Sequence, residues 1–154
     1  MDFKIDKIES TDLDNIYNLG CGVTKFTGDG GKNVFWPKNT LQRLFSSDDC
    51  VTLKLVSDNE IVGFCLVMIH PASKKAVIEN FFVLNEFKSL KNDFYLGMEE
   101  EIKKTDAQFI AHLFDEENSS SSIGVFVDNG YISKTSRVWL HKNISFSNPM
   151  PKNN

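Results

Sequence analysis

Glu79 stands in the run Ala76-Val77-Ile78-Glu79-Asn80-Phe81-Phe82-Val83, which is otherwise almost wholly apolar. A carboxylate in such a run needs a reason to be there. It is a general base for a substrate proton, a group at a solvated strand position, or half of a structural ion pair. Further on, Lys88-Ser89-Leu90-Lys91-Asn92-Asp93 leads into a long amphipathic helix. The first turn of a helix carries free backbone N–H groups and the positive end of the dipole, so it suits a phosphate. Lys88 and Lys91 add countercharge, whereas Asp93 suits the dipole but repels phosphate. The plainer alternative is a polar helix start with no ligand.

Other residues offer chemistry with less specificity. His112, in a later apolar run, is either a substrate or proton-relay group or a satisfied core histidine. His70 and His141 fall at strand ends and are expected to be structural. Phe35 and Trp36 follow a glycine-rich segment and either line an acceptor pocket or close a lid on the core. Cys21, Cys50 and Cys65 show neither CxxC nor metal-ligand spacing, so buried thiols and no metal site are expected. The net charge of -4, without a dense Lys/Arg cluster, argues against a nucleic-acid partner and suits a cationic substrate.

These residues need a scaffold of one domain. The 154 residues are 41% hydrophobic and 25% charged, enough for one filled core. No apolar run approaches the ~20 residues of a membrane helix, and the first ten residues lack the apolar centre of a signal peptide; no membrane association and a cytoplasmic location are expected.

Phe3, Ile5 and Ile8 predict a first strand, and Ser10 or Thr11 caps a helix carrying Leu13, Ile16 and Tyr17 that Gly20 and Gly22 end. The segment Phe26 to Asn33 is turn-rich, and Pro37 precedes a second helix with Leu41, Leu44 and Phe45. Alternation from Cys50, a turn at Ser57 to Glu60, a strand from Ile61 to Ile69, a turn at Pro71 to Lys75 and a strand from Ala76 to Leu84 predict an antiparallel meander. A helix from about Asn92 to Lys104 follows, with a fifth strand from Gln108 to Phe114. Asp115 to Asn118 forms a loop. Ser119 or Ser120 caps a helix through Asp128 that Gly130 ends. Arg137 to Lys142 is the last strand. The expectation is an α+β domain over residues 1–144 in α/β/α layers, with the order β-α-α-β-β-β-α-β-α-β, a mixed sheet of six to seven strands, and a polar tail at 145–154.

This order, with Phe81-Phe82-Val83-Leu84-Asn85-Glu86-Phe87, Asn118 and Phe126-Val127-Asp128-Asn129-Gly130-Tyr131 at matching spacings, resembles the GNAT superfamily of acyl-CoA-dependent N-acyltransferases. Glu79-Asn80-Phe81-Phe82-Val83 is similar to the Glu-Asp-Phe-Phe-Val of diamine (spermidine/spermine) acetyltransferases. The resemblance implies acetyl-CoA as acyl donor and a primary amine acceptor, polyamine-like or on a peptide. It also implies a wedge between the fourth and fifth strands where Val83 would face His112 to Asp115, and pairing into a homodimer.

Glu79 would be the base. A lysine-like ammonium of pKa ~10.4 is neutral about once in two thousand molecules at pH 7, a handicap of roughly 4 to 5 kcal/mol that a base or desolvation must offset. The backbone N–H of Phe82 or Val83, freed by a bulge or splay, would polarise the thioester carbonyl. The family's R/Q-x-x-G-x-G/A falls on Lys88 to Asp93, with Lys91 and Asp93 in place of its glycines. Asn118 would orient the cofactor, and Phe126 stands where the family has a tyrosine acid, beside the bound cofactor. These departures also fit a fold-mate that no longer catalyses and serves as a binding or regulatory module.

Overall fold

In the computed structural model, residues 2–23, 35–112 and 123–132 are described. The segment Phe26 to Asn33, the loop residue Asn118, the strand expected at Arg137 to Lys142 with His141, and the tail lie outside them. The described elements run β1 (Phe3–Lys7), α1 (Leu13–Cys21), α2 (Lys38–Phe45), β2 (Cys50–Ser57), β3 (Glu60–His70), β4 (Lys75–Val83), α3 (Lys91–Lys103), β5 (Phe109–His112) and α4 (Ile123–Asp128). This is the expected order as far as the description reaches. The sheet has five strands rather than six to seven among the described residues, in the order β1-β2-β3-β4-β5. The first four are antiparallel and β4 pairs β5 in parallel.

The sheet is covered on both faces, which is why β3 and β4 are apolar on both sides. One face packs Leu53, Leu55, Cys65, Val67, Ile78 and Phe81 against Phe94, Tyr95, Met98 and Ile102 of α3 and Phe126 of α4. The other packs Phe64 and Leu66 against Ile16 of α1 and Leu41 and Phe45 of α2, with Phe35 between. The β2–β3 turn puts Asp58 and Asn59 at φ 50 and 67, the left-handed pair that a two-residue hairpin loop requires.

Several local expectations change. The entry to α1 is not capped by Ser10 or Thr11. Asp12 instead accepts the Glu9 amide at 2.8 Å and pairs with Lys54 at 2.6 Å, both side chains largely buried, and so ties the helix entry to β2. Gly20 does not end α1 but lies in its last turn, where a Cβ would come within 2.3 Å of the Phe35 ring; its role is to let that ring rest on the helix backbone. Of the three cysteines only Cys65 is fully buried. Gly130 does end α4, at φ 86, with the Tyr131 amide bonded back to Phe126 at 3.0 Å and the Tyr131 ring packed on the Phe126 ring.

Gly63 of β3 lies opposite Val83, and a Cβ there would stand 2.7 Å from the Phe82 carbonyl oxygen, a backbone atom that moves only if β4 moves. Gly63→Ala is therefore expected to cost about 1 to 3 kcal/mol in urea unfolding, with the loss in midpoint rather than slope.

Candidate active site

The β3–β4 ladder holds one irregularity. Leu66 pairs with Asn80 and Val67 with Ile78, so Glu79 is an extra residue, a bulge in β4. Its effect follows from parity. Ile78 and Phe81 both belong to the core beneath α3, although residues three apart in a regular strand face opposite ways. The two residues between them, Glu79 and Asn80, are thereby turned together to the α1/α2 face. Asn80 is 7% exposed, and its Oδ1 accepts the indole N–H of Trp36 at 2.7 Å. The Glu79 side chain is exposed and senses His70 at the end of β3. Partial desolvation raises its pKa, opposed by His70.

Beyond the bulge, β4 continues along the same edge past its described pairing with β5. The described parallel register reaches Ile78 opposite His112, and β4 runs on to Val83. The Leu84 amide donates to the Val62 carbonyl at 2.8 Å. By antiparallel alternation the Phe82 amide faces β3, and the N–H and C=O of Val83 face the β5 side. Of the two backbones singled out from the sequence, Val83 is the one aimed at that edge.

His112 is not opposite Val83 as expected. It is paired with Ile78, five residues and roughly 16 Å earlier along the strand. Its Nδ1–H donates to the Ile78 carbonyl at 2.8 Å, since a carbonyl can only accept. Its ring lies 4.8 Å from that of Phe126, on the α3/α4 face. The sheet separates it from Glu79 and Trp36.

The start of α3 is built without glycine. Asn85–Leu90 form a 3-10 turn that runs straight into α3, and the Lys91 amide bonds to the Lys88 carbonyl. Leu90 is 8% exposed and packs into the core, so only its backbone is available there. The Asn92 side chain accepts the Asn129 amide at 2.9 Å, linking α3 to the end of α4. Lys88, Ser89 and Asp93 are exposed. Burial, and then the neighbouring Lys88, lower the Lys91 pKa. Two ammonium groups that oppose each other's charge are a donor set that an anion would relieve.

Phe126 is 1% exposed, enclosed by the rings of Phe81, Tyr95, His112 and Tyr131. The Tyr131 hydroxyl is buried beside it, and burial pushes its pKa up, opposed by the Tyr95 hydroxyl. Phe35 is buried against Phe64, with ring centroids 5.6 Å apart. Asn118 lies outside the described residues. A groove of about 680 Å³ between α1 and the β2–β3 hairpin, floored by Asp12 and Lys54, contains none of these residues. No group of three metal-ligating side chains occurs among the described residues, and no described helix is long and apolar enough to cross a membrane. The residue that sequence reasoning passed over is Asn80; its signal was a polar amide in a run of Ile, Phe and Val.

A carboxyl whose pKa rises on folding holds its proton more tightly in the folded state. Its ionisation therefore destabilises the fold as pH climbs past the unfolded value. Glu79→Gln is expected to raise Tm slightly at about pH 7 and to leave it unchanged near pH 3, where both states are protonated; the gain stays under about 1 kcal/mol because the group is exposed.

No family model matches the sequence, and no curated protein sequence matches it. Solved structures do. The aminoglycoside 6'-N-acetyltransferase AAC(6')-Ih from Acinetobacter baumannii aligns over 93% of this chain and 99% of its own, with TM-score 0.74 and 17% identity. The PaiA N-acetyltransferase from Thermoplasma acidophilum, solved in complex with coenzyme A, aligns over 89% of this chain and 94% of its own, with TM-score 0.73 and 19% identity. A transcriptional regulator from Bacillus halodurans C-125 covers 92% of this chain and 100% of its own, with TM-score 0.70 and 13% identity. At these identities the likeness is one of architecture, and the chain has the fold of the GNAT N-acetyltransferases.

Proposed function

We propose that the chain transfers an acetyl group from acetyl-CoA to a primary amine, with Glu79 as the base. The observation that carries this reading is the β4 bulge, which sets a lone carboxylate, Glu79, beside Asn80 on one face of an otherwise buried strand, four residues before an amide that faces the β5 side. Val83 N–H would donate to the acyl carbonyl, and the Val83 C=O and neighbouring edge groups would hold the pantetheine amides as an added strand does. Lys88 and Lys91, with the amides at the start of α3, would hold the diphosphate; burial and the neighbouring Lys88 depress the Lys91 pKa, and a bound anion would favour the charged form of both. When bound, acetyl-CoA supplies the acetyl group and a thiolate leaving group.

On the acceptor side, Glu79 would take a proton from the ammonium, directly or through water. The raised pKa brings the carboxylate closer to that task, because a stronger base is a better proton acceptor as long as it stays ionised at the working pH. A cationic, polyamine-like acceptor fits an exposed carboxylate, Glu79, next in the chain to the Asn80 that holds the Trp36 indole. An aminoglycoside or a peptide amine shares that chemistry; the structural neighbours include an aminoglycoside 6'-N-acetyltransferase and the ribosomal-protein-S18-alanine N-acetyltransferase from Escherichia coli.

A second reading, a binding or regulatory module without turnover, draws on two observations. The Lys91 amide is already bonded within the 3-10 turn, and Phe126 carries no proton to give. Isothermal titration with acetyl-CoA and a thiol-release assay over an amine panel separate the two. Micromolar binding with amine-dependent thiol release is expected, and no binding at millimolar coenzyme would remove the enzyme reading.

Glu79→Gln is expected to lower kcat/KM about a hundredfold or more while leaving acetyl-CoA affinity unchanged, so unchanged turnover would clear Glu79 of the role. Lys88→Ala and Lys91→Ala are each expected to weaken coenzyme binding by up to about tenfold, an effect that shrinks as salt rises.

A further inference from the structure

The hydrogen bond between Trp36 and Asn80 joins two parts of the chain that sequence alone leaves unrelated. Asn80 is the bulge partner of Glu79 and has almost no solvent exposure. A buried amide in an apolar strand must find a partner, and among the described residues the Trp36 indole N–H donates to it at 2.7 Å. Trp36 is itself held on both sides. The preceding Phe35 ring rests on the Gly20 backbone of α1, and the following Pro37 is the residue from which α2 begins. The indole therefore ties the α1/α2 layer to the one place where β4 departs from regular alternation.

A bulge is a local choice of which residue is extra. Sliding it one residue toward Phe81 would return Asn80 to the α3 face and take Glu79 out of the bulged backbone conformation that aims it. The Trp36 bond opposes that slide, because moving Asn80 would leave both the indole N–H and the amide unpaired.

We propose that Trp36 and Asn80 are positioning residues that fix the direction of Glu79 and couple acceptor binding to the α1/α2 layer. This rests on the reading of Glu79 as the acceptor-side group. The bond does not touch the coenzyme side, so its loss separates the two substrates.

The test uses Trp36→Phe, which keeps an aromatic ring but removes the donor, and Asn80→Leu, which keeps size but removes the acceptor. Each is expected to raise the KM for the amine about tenfold with the acetyl-CoA KM unchanged, and the double variant is expected to be no worse than either single one. Asn80→Asp keeps an oxygen for the indole, so the amine KM stays within about threefold of the parent. The added carboxylate beside Glu79, where His70 on β3 is the other charged group within reach, moves the acid limb of the pH profile upward.

A readout independent of turnover is the Trp36 indole ¹H–¹⁵N resonance, assigned as the one of two indole signals lost in Trp36→Phe. It is expected to shift on titration with spermidine, and to stop shifting in Glu79→Gln. A lower Tm with amine KM within twofold and a still indole signal would reduce the bond to a fold-holding contact and overturn the proposal. If no amine on the panel is acetylated, a spermidine-dependent indole shift that needs Glu79 keeps the positioning role and removes acetyl transfer; absence of the shift removes both.

Discussion

One inserted residue in β4 decides how the rest of the molecule is arranged around the candidate site. In an uninterrupted strand with Ile78 beneath α3, Asn80 and Phe82 would also face α3, and Glu79, Phe81 and Val83 would face α1 and α2. The bulge reverses everything after it. Phe81 and Val83, each 4% exposed, enter the core under α3, where Phe81 stacks on Phe94 at 5.3 Å. Burying two such side chains is worth about 1.5 to 3 kcal/mol each, which offsets the ladder bond that the bulge gives up. The site residues are then a by-product of core packing: Glu79 and Asn80 are left on the α1/α2 face because Phe81 cannot be.

The same inversion divides the backbone. After the bulge the Phe82 amide serves β3 and the Val83 amide faces the β5 side. His112 lies at the bulge end of the described β4–β5 pairing. Its ring reaches back to the Ile78 carbonyl, the last on β4 before the bulge, and packs on Phe126. It thus belongs to the α3/α4 side of the sheet rather than to the side that holds Glu79.

What the sequence made legible, and what it hid, has a physical pattern. The order of elements could be read because each has its own period: β2 alternates, α3 carries Phe94, Met98 and Ile102 one or more turns apart, and Gly130 stops α4. The bulge could not be located because Ala76 to Val83 is apolar toward both faces, and a two-sided strand gives no phase to read. Only Glu79 and Asn80, adjacent where alternation would separate them, betray it. The β4–β5 register was hidden for a related reason: parallel pairing joins segments distant in sequence, and nothing in Phe109 to His112 names its partner. The α1 entry misled because Ser10 and Thr11 are common caps, whereas the group in use, Asp12, is fixed by an ion pair with Lys54, 42 residues away.

In the proposed function the start of α3 would have to seat an anion without glycine. Glycine lets backbone approach a diphosphate closely and take left-handed dihedrals. Here a 3-10 turn over Asn85–Leu90 continues into α3 with no positive φ, and its own bonds consume the Lys91 amide. That leaves one amide fewer to point outward, but two ammonium groups, Lys88 and Lys91, stand at this turn. Charge falls off more slowly with distance than a hydrogen bond does, so lysines can hold a phosphate that the backbone cannot reach closely, at the cost of geometric precision and of sensitivity to salt. Buried Leu90 underneath pins the turn to the core, so the proposed exchange of contact for charge would rest on a turn that packing holds in place.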